Sequence, residues 1–427
     1  MASVTGKSVI VLGAGVVGVC AALELLSRGA DVTLVDRRDP GEETSYGNAG
    51  VMATSSLMPL NNPGLWKRLP GLLSNRGTGF RYSVPFLLRN LQWAVGFLLN
   101  ARTKTCDETM TALNALIQCS ADGHKSLLAE ANAADRLNEA GWIFLHRTQQ
   151  SFEDGARTRE AFDRFGLDTE VLGKQDIQDL EPGLNPIFAK GLWIKDTFSV
   201  DSPGHVVQAY SKLFLSRGGR IVRSEVSDLQ QNESGWTVKC ADSAMSADQV
   251  VVALGPWSKP FLKRFGVSVP MGFERGYHRH FEGNLGNAKL NRPIYDIGGG
   301  YVLSQMEQGL RLTTGVELTD VAAEPNHAQL DLAEQAAREA FDLGQCVQDD
   351  PWLGSRPTMP DSRPVIGELK GARKLWLAFG HQHIGFSTAP GTAKILADLM
   401  EGAIPPIDAA PFGPDRFTAL RWKHNAA

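Results

Sequence analysis

The sequence predicts a mixed α/β protein in which a parallel-sheet domain is interleaved with a second domain built on an antiparallel sheet. Three observations predict it. Residues 8–36 read as strand, glycine turn, helix and strand. A second block of the same character begins near residue 202, and residues 375–402 again read as strand, glycine turn and helix. Segments so far apart that share one pattern imply one sheet assembled from several parts of the chain.

The elements follow in order. Residues 8–12 form an unbroken aliphatic run, which suits a strand buried on both faces. Residues 17–28 carry helical periodicity and close at Gly29, a residue suited to a helix C-terminus. Residues 31–35 are the next strand, ending in Asp36. Residues 44–50 are a loop of small residues, 57–79 are rich in Pro, Gly and Asn, and long helical stretches run to about 131. Strand-like pieces appear at 141–146 and 191–194. A helix at 203–217 leads through Gly218 and Gly219 into strands at 220–222, 236–240 and 249–254, which return the chain to the first sheet. Residues 270–350 read as extended strands plus one helix, about 326–343. The expected division assigns 1–80, 150–265 and 350–427 to the nucleotide domain, and 81–149 and 266–349 to a substrate domain.

Composition narrows the function classes. The chain has 427 residues, 43% of them hydrophobic, and can bury two sizeable cores. A formal net charge of −4, with no basic run, gives no sign of a nucleic-acid partner. The cysteines Cys20, Cys106, Cys119, Cys240 and Cys346 are scattered without a CxxC pair, which fits reduced thiols and a cytoplasmic location. The apolar run at 9–19 is broken by glycines and lacks a basic flank, so no signal peptide is read. No uncharged apolar stretch reaches roughly eighteen residues, so no transmembrane segment is expected. Residues 84–99 are apolar but broken by Arg89, Asn90 and Gln92, as an amphipathic or buried helix would be. Peripheral contact at the inner membrane face stays open.

Gly13-Ala14-Gly15-Val16-Val17-Gly18 is the sharpest local signal. The first glycine permits a tight turn, the second lets the backbone approach a pyrophosphate, and the third lets helix and strand pack closely. The helix then points free N–H groups and its positive dipole end at the phosphates. Asp36, eighteen residues beyond Gly18, is placed to accept bonds from ribose hydroxyls. It would repel the extra phosphate of NADP, and Arg37 beside it softens that only slightly. A Rossmann-like dinucleotide domain is therefore expected, against the plainer alternative of a glycine turn that merely packs. The motif does not separate FAD from NAD.

Longer segments do. The βαβ start, the loop Thr44-Ser45-Tyr46-Gly47-Asn48-Ala49-Gly50, residues 352–361 around Arg356, and the run Gly380-His381-Gln382-His383-Ile384-Gly385-Phe386 together resemble the D-amino acid oxidase/dehydrogenase family of flavoproteins. Glycine and sarcosine oxidases belong to it. Glu274-Arg275-Gly276-Tyr277-His278, Pro360-Asp361-Ser362 and Pro411-Phe412 resemble the glyphosate and iminodiacetate oxidising branch and the D-hydroxyproline dehydrogenases. The resemblance covers nearly the whole chain and implies an FAD cofactor. It implies that Gly13, Gly15, Val17, Gly18, Asp36 and Arg37 hold the dinucleotide. It implies that Ser45, Asn48, Ala49, Gly50 and Val51 pass beside the isoalloxazine. Val226 would lend its backbone to the adenine, with Ala253, Gly255 and Trp257 near the pyrophosphate. Gly380, His381, Gly385 and Phe386 would bring a helix N-terminus to the flavin, where negative charge gathers on reduction. Some relatives tether flavin through a cysteine just before the arginine motif. Gly354 stands there, so non-covalent FAD is expected.

The resemblance also makes Arg356 the expected anchor for a substrate carboxylate beside the flavin, where a guanidinium can grip it with two parallel bonds, against the plainer alternative of an arginine that caps carbonyls beside Pro357. Tyr277 or His278 would add a contact. Two HxH pairs, His278/His280 and His381/His383, lack the companion ligands a metal needs, and no metal is expected. With Arg279 and Arg356 they suggest a positive patch suited to a second acidic group. The implied reaction is hydride removal from the carbon of an amine, giving an imine that water hydrolyses, with no side-chain base assigned. The preferred substrate is an N-carboxymethyl amine with two acidic groups, of the iminodiacetate or glyphosate type. Alternatives are a D-amino acid or cis-4-hydroxy-D-proline dehydrogenase passing electrons to a quinone, and a non-catalytic dinucleotide-binding module. The electron acceptor is oxygen or a quinone.

Overall fold

The computed structural model describes residues 3–72, 74–241, 243–283, 289–347 and 349–422. A six-stranded sheet organises the nucleotide domain. Its order is Arg220–Arg223, Asp31–Asp36, Ser8–Leu12, Gln249–Val252, Leu375–Phe379, Val365–Glu368, and only the last pairs antiparallel. The strand Ser8–Leu12 shows why its sequence is apolar throughout. Val9 and Val11 face a core made with the helices Val16–Ser27, Pro203–Ser216 and Gly385–Glu401, whereas Ile10 and Leu12 face a core on the other side. Both faces are covered, so no polar alternation appears.

A ten-stranded, mostly antiparallel sheet forms the second layer system. Its long central strand Gly272–Phe281 pairs with Gly309–Thr314 and Val316–Leu318 on one edge and with Trp352–Thr358 on the other. The helix Ala328–Ala340 covers one face through Leu330, Ala333, Ala337 and Ala340, all buried.

Two expectations are corrected. Strands Thr169–Leu172, Lys190–Ile194 and Trp352–Thr358 belong by hydrogen bonding to the ten-stranded sheet, although the expected division put 150–265 and 350–427 wholly in the nucleotide domain. Residues 236–240 do not join the first sheet. They pair with Val226–Gln231 and Ala244–Ala247 in a separate three-stranded sheet, because these strands are close neighbours in sequence and pair locally as hairpins. The apolar stretch 84–99 is two helices, Val84–Arg89 and Leu91–Leu99, separated at Asn90. Among the described residues no helix is long and apolar enough to cross a membrane.

Candidate active site

The glycine turn is built by crowding. Gly13 has φ +108°, and a Cβ there would stand 2.4 Å from the Ala253 carbonyl oxygen. A Cβ on Gly18 would stand 1.8 Å from the Gly13 oxygen, so turn and helix close directly on each other. Gly15 differs. Its Cβ would meet only Ser45 Oγ, at 3.3 Å, and Gly255 has nothing within 4 Å. Both line the same cavity, and there they leave backbone open to a ligand. Asp36 also lines it, but its carboxylate already accepts from Ala14 N at 2.6 Å and from Arg38 N at 3.0 Å. It therefore holds the turn as well as facing the cavity. Arg37 pairs with Glu43 at 2.7 Å and lies 4.5 Å from the Trp257 ring centroid.

Two helices start at this cavity. Val16–Ser27 begins at the glycine turn, and Gly385–Glu401 begins where a Cβ on Gly385 would lie 4.0 Å from Val17. Neither has a capping bond from its own N-cap residue or an acidic residue in its first turn; Ser45 Oγ takes one N–H of the first helix, and the other N–H groups at both ends keep their positive dipole ends at the cavity. The second helix is fixed by His124, whose Nε2 donates to the Phe386 oxygen and whose Nδ1 accepts from the Tyr210 hydroxyl at 3.1 Å. Burial pulls the His124 pKa down to about 4, which keeps the ring neutral.

The loop 44–51 runs between these helices and the large sheet. Ser45 Oγ accepts from Val16 N at 3.0 Å, and Asn48 closes a local turn on Ser45 and Gly50. Arg311 donates to the Asn48 oxygen at 2.7 Å and to the Tyr46 oxygen at 3.2 Å, and Ser304 holds the Ala49 oxygen. Val51 begins the short strand Val51–Met52 paired to Phe198–Val200.

Trp352, Gly354, Arg356, Gln382 and His383 line the same cavity. Arg356 lies directly opposite Glu274 in the antiparallel register, with Gly354 opposite Gly276. The guanidinium extends over Gly276, where a Cβ would come within 2.3 Å of its Nη2. Among the described residues it makes one hydrogen bond, a long one of 3.4 Å to the Gly315 oxygen. Burial pushes the Arg356 pKa below the usual arginine range, against the pull of Glu274. Glu274 is fully buried, and neither carboxylate oxygen has a hydrogen-bond partner. The His383 ring lies beside it, with Nδ1 3.7 Å from Oε2.

One cavity at which two helices begin, with the backbones of Gly15 and Gly255 left open to it, suits a dinucleotide pyrophosphate. The model of the FAD-dependent oxidoreductase family, DAO, matches residues 8–399. The chain belongs to this family. Its cofactor is FAD, and it is an oxidoreductase acting on amino or amine donors. It is 30% identical over 424 residues to a D-amino-acid oxidase of Bradyrhizobium diazoefficiens, covering 96% of this chain and 99% of that protein. In fold it is similar to glycine oxidase from Geobacillus kaustophilus, with TM-score 0.70 and 22% identity over 95% of this chain and 98% of the other. It is similar too to iminodiacetate oxidase from Chelativorans sp. BNC1, with TM-score 0.68 and 17% identity over 95% and 98%.

In this FAD-dependent oxidoreductase most of the expected cofactor residues line one cavity: Gly13, Gly15, Val17, Asp36, Arg37, Ser45, Asn48, Val226, Ala253, Gly255, Trp257, Gly354, Arg356, His381, Gly385 and Phe386. Gly18, Ala49, Gly50, Val51 and Gly380 are not among the residues that line it. Gly380 has φ +86° and packs on Met359. A side chain at Gly354 would run into the Trp352 ring at 2.0 Å, so the strand leaves no space for a tethering cysteine.

The expected positive patch does not converge. Residues 275, 277 and 279 point to the opposite face of the strand from 274, 276, 278 and 280. The Tyr277 hydroxyl therefore bonds Arg275, Glu317 and Asn326, and Arg279 pairs with Glu334. His278 shares the Arg356 face, but its Nδ1 donates to the Gly47 oxygen and its ring stacks on Trp352 at 4.8 Å. Burial pushes its pKa well down. His280 accepts from Arg311 Nε at 3.0 Å, and His381 bonds Thr392. Of these histidines His381 and His383 line the cavity with Arg356, and His381 is already bonded to Thr392. Sequence reasoning missed Glu274 and Arg311. Glu274 shares parity with Gly276 and His278, a signal that becomes readable once Gly272–Phe281 is paired with Trp352–Thr358.

Proposed function

We propose that the protein oxidises a small α-amino acid of the D series, with the substrate carboxylate on Arg356 and its amine at Glu274. The observation that carries this is the buried Glu274 carboxylate, without a hydrogen-bond partner, in register with Arg356. An unpaired buried carboxylate is costly, and a ligand that brings a cation relieves the cost. An α-amino acid brings one anion and one cation a short distance apart, which matches an arginine and a carboxylate on one face.

The two residues divide the work. Arg356, held over Gly276, orients the carboxylate with two parallel bonds and so fixes the neighbouring Cα–H. The substrate arrives as an ammonium ion and must lose a proton before its lone pair can form the C=N bond. Glu274 takes that proton, and His383, 3.7 Å away and partly exposed, is the next acceptor on the way out. Bound FAD supplies the acceptor for the hydride that leaves Cα. The imine product is then hydrolysed by water.

A diacid substrate fits less well, because its second anion would meet Glu274 in place of a cationic cluster. The D series is supported by the similarity to a D-amino-acid oxidase. The test is anaerobic flavin bleaching by D-alanine and cis-4-hydroxy-D-proline against iminodiacetate and glyphosate. Bleaching by the D-amino acids is expected. Bleaching by the diacids alone would overturn the proposal.

A further inference from the structure

A stripe of exposed apolar side chains lies on the helices Val84–Arg89 and Leu91–Leu99. Val84 and Leu88, four residues apart, share one face of the first helix, and Leu91, Val95 and Leu99, four apart each, share one face of the second. Leu88 is 69% exposed and Leu91 58%. The opposite side is firmly seated. Phe86, Trp93 and Phe97 are buried, Trp93 stacks on Phe97 at 5.0 Å, and its indole donates to the Thr358 oxygen at 2.8 Å. The stripe therefore faces outward because the inward face is already filled. Trp66, 46% exposed, extends it, since its indole nitrogen bonds the Ala101 oxygen just past the second helix. Six of the eleven large exposed apolar residues of the described chain fall between 66 and 99, whereas the other five are scattered.

Charge tells what covers such a face. From residue 44 to residue 106 the sequence holds seven basic residues and no acidic one, in a chain of net charge −4. Arg89 is paired with Asp320, but Lys67, Arg102 and Lys104 are exposed and have no ion-pair partner among the described residues. An apolar stripe with a tryptophan at its end, flanked by unpaired lysine and arginine, is complementary to an anionic bilayer surface. A second copy of this chain would bring the same basic flank against itself.

We infer that this face docks the enzyme peripherally on anionic membranes, with the stripe at the acyl boundary and the basic residues at the headgroups. The stripe is backed by Trp93 onto the strand that carries Arg356, so docking sets the substrate end of the cavity near the bilayer, where a lipid-soluble electron acceptor resides. This inference does not depend on which amine is oxidised.

The test is co-sedimentation of the purified holoenzyme with vesicles of phosphatidylcholine containing phosphatidylglycerol, and with vesicles of phosphatidylcholine alone. Binding to the anionic vesicles is expected, several-fold above that to the neutral ones and falling as salt is raised. The double variant Leu88→Glu with Leu91→Glu is expected to stay in the supernatant while keeping its flavin spectrum. Wild-type protein that stays in the supernatant, or a double variant that binds as well as wild type, would overturn the inference. A wild-type dimer by light scattering that the double variant dissolves, without vesicle binding, would instead assign the face to self-association.

Discussion

Glu274 and Arg356 face each other across two antiparallel strands, yet no ion pair joins them: the guanidinium extends over Gly276, and neither carboxylate oxygen accepts a hydrogen bond. Opposite charges on one buried face normally close on each other. Here they are held apart by the fixed reach of Arg356 over Gly276, and this separation underlies the amino-acid site proposed above.

Arg356→Ala removes charge-assisted bonds worth roughly 1.5–3 kcal/mol each. A fall of about tenfold to over a hundredfold in kcat/KM is expected, with flavin content unchanged. Arg356→Lys should recover little, because an ammonium cannot offer two parallel donors. Steady-state kinetics beside the flavin absorption spectrum checks both.

Gly276→Ala acts on the same guanidinium indirectly. The new Cβ would fall 2.3 Å from Nη2 and 2.7 Å from Cζ, so the side chain must move. Loss of one aligned bond corresponds to about tenfold or more in kcat/KM. The effect should appear as raised KM for amino acids while FAD stays bound, and unchanged KM would show that Arg356 does not need this place.

How much of this was legible follows from where the signals lie. Residues 8–36 could be read because an unbroken aliphatic run and three spaced glycines are local signals, and the structure reproduces them. The helix of Gly385–Glu401 was readable for the same reason. The membership of Thr169–Leu172, Lys190–Ile194 and Trp352–Thr358 was not, since pairing between strands far apart in sequence leaves no local trace. The histidines misled for a related reason. HxH spacing correctly gives a shared face for His278 and His280, but it cannot show that Gly47 and Arg311 already engage those rings. Glu274 sat unremarked within a recognised motif because its meaning lies across the sheet.

FAD is expected to be held without a covalent bond. Acid precipitation should leave FAD in the supernatant, and flavin retained by the pellet would contradict it. Gly15→Trp should give colourless protein, since the backbone face that Gly15 leaves open would be filled.

Stability should depend on pH through His124. Its folded pKa is about 4 against an ordinary 6.5, so the unfolded chain takes up a proton first as pH falls. The stabilisation present above pH 6.5 is lost between there and about 4, by at most on the order of 3 kcal/mol. His381, pulled down to about 3 by burial, adds a loss of the same sign. Thermal melts of His124→Gln should show a shallower fall in Tm over that window than wild type, and parallel curves would reject this origin.

The most direct measurement of the account is the limiting rate of anaerobic flavin reduction by D-alanine in wild type and Glu274→Gln, followed across pH. Glutamine keeps the shape and removes the proton acceptor. Reduction about a hundredfold slower near neutral pH is predicted, recovering as the pH approaches the pKa of the substrate amine, with FAD still bound. Equal rates with the same pH profile would contradict the assignment of Glu274 as the residue that receives the amine.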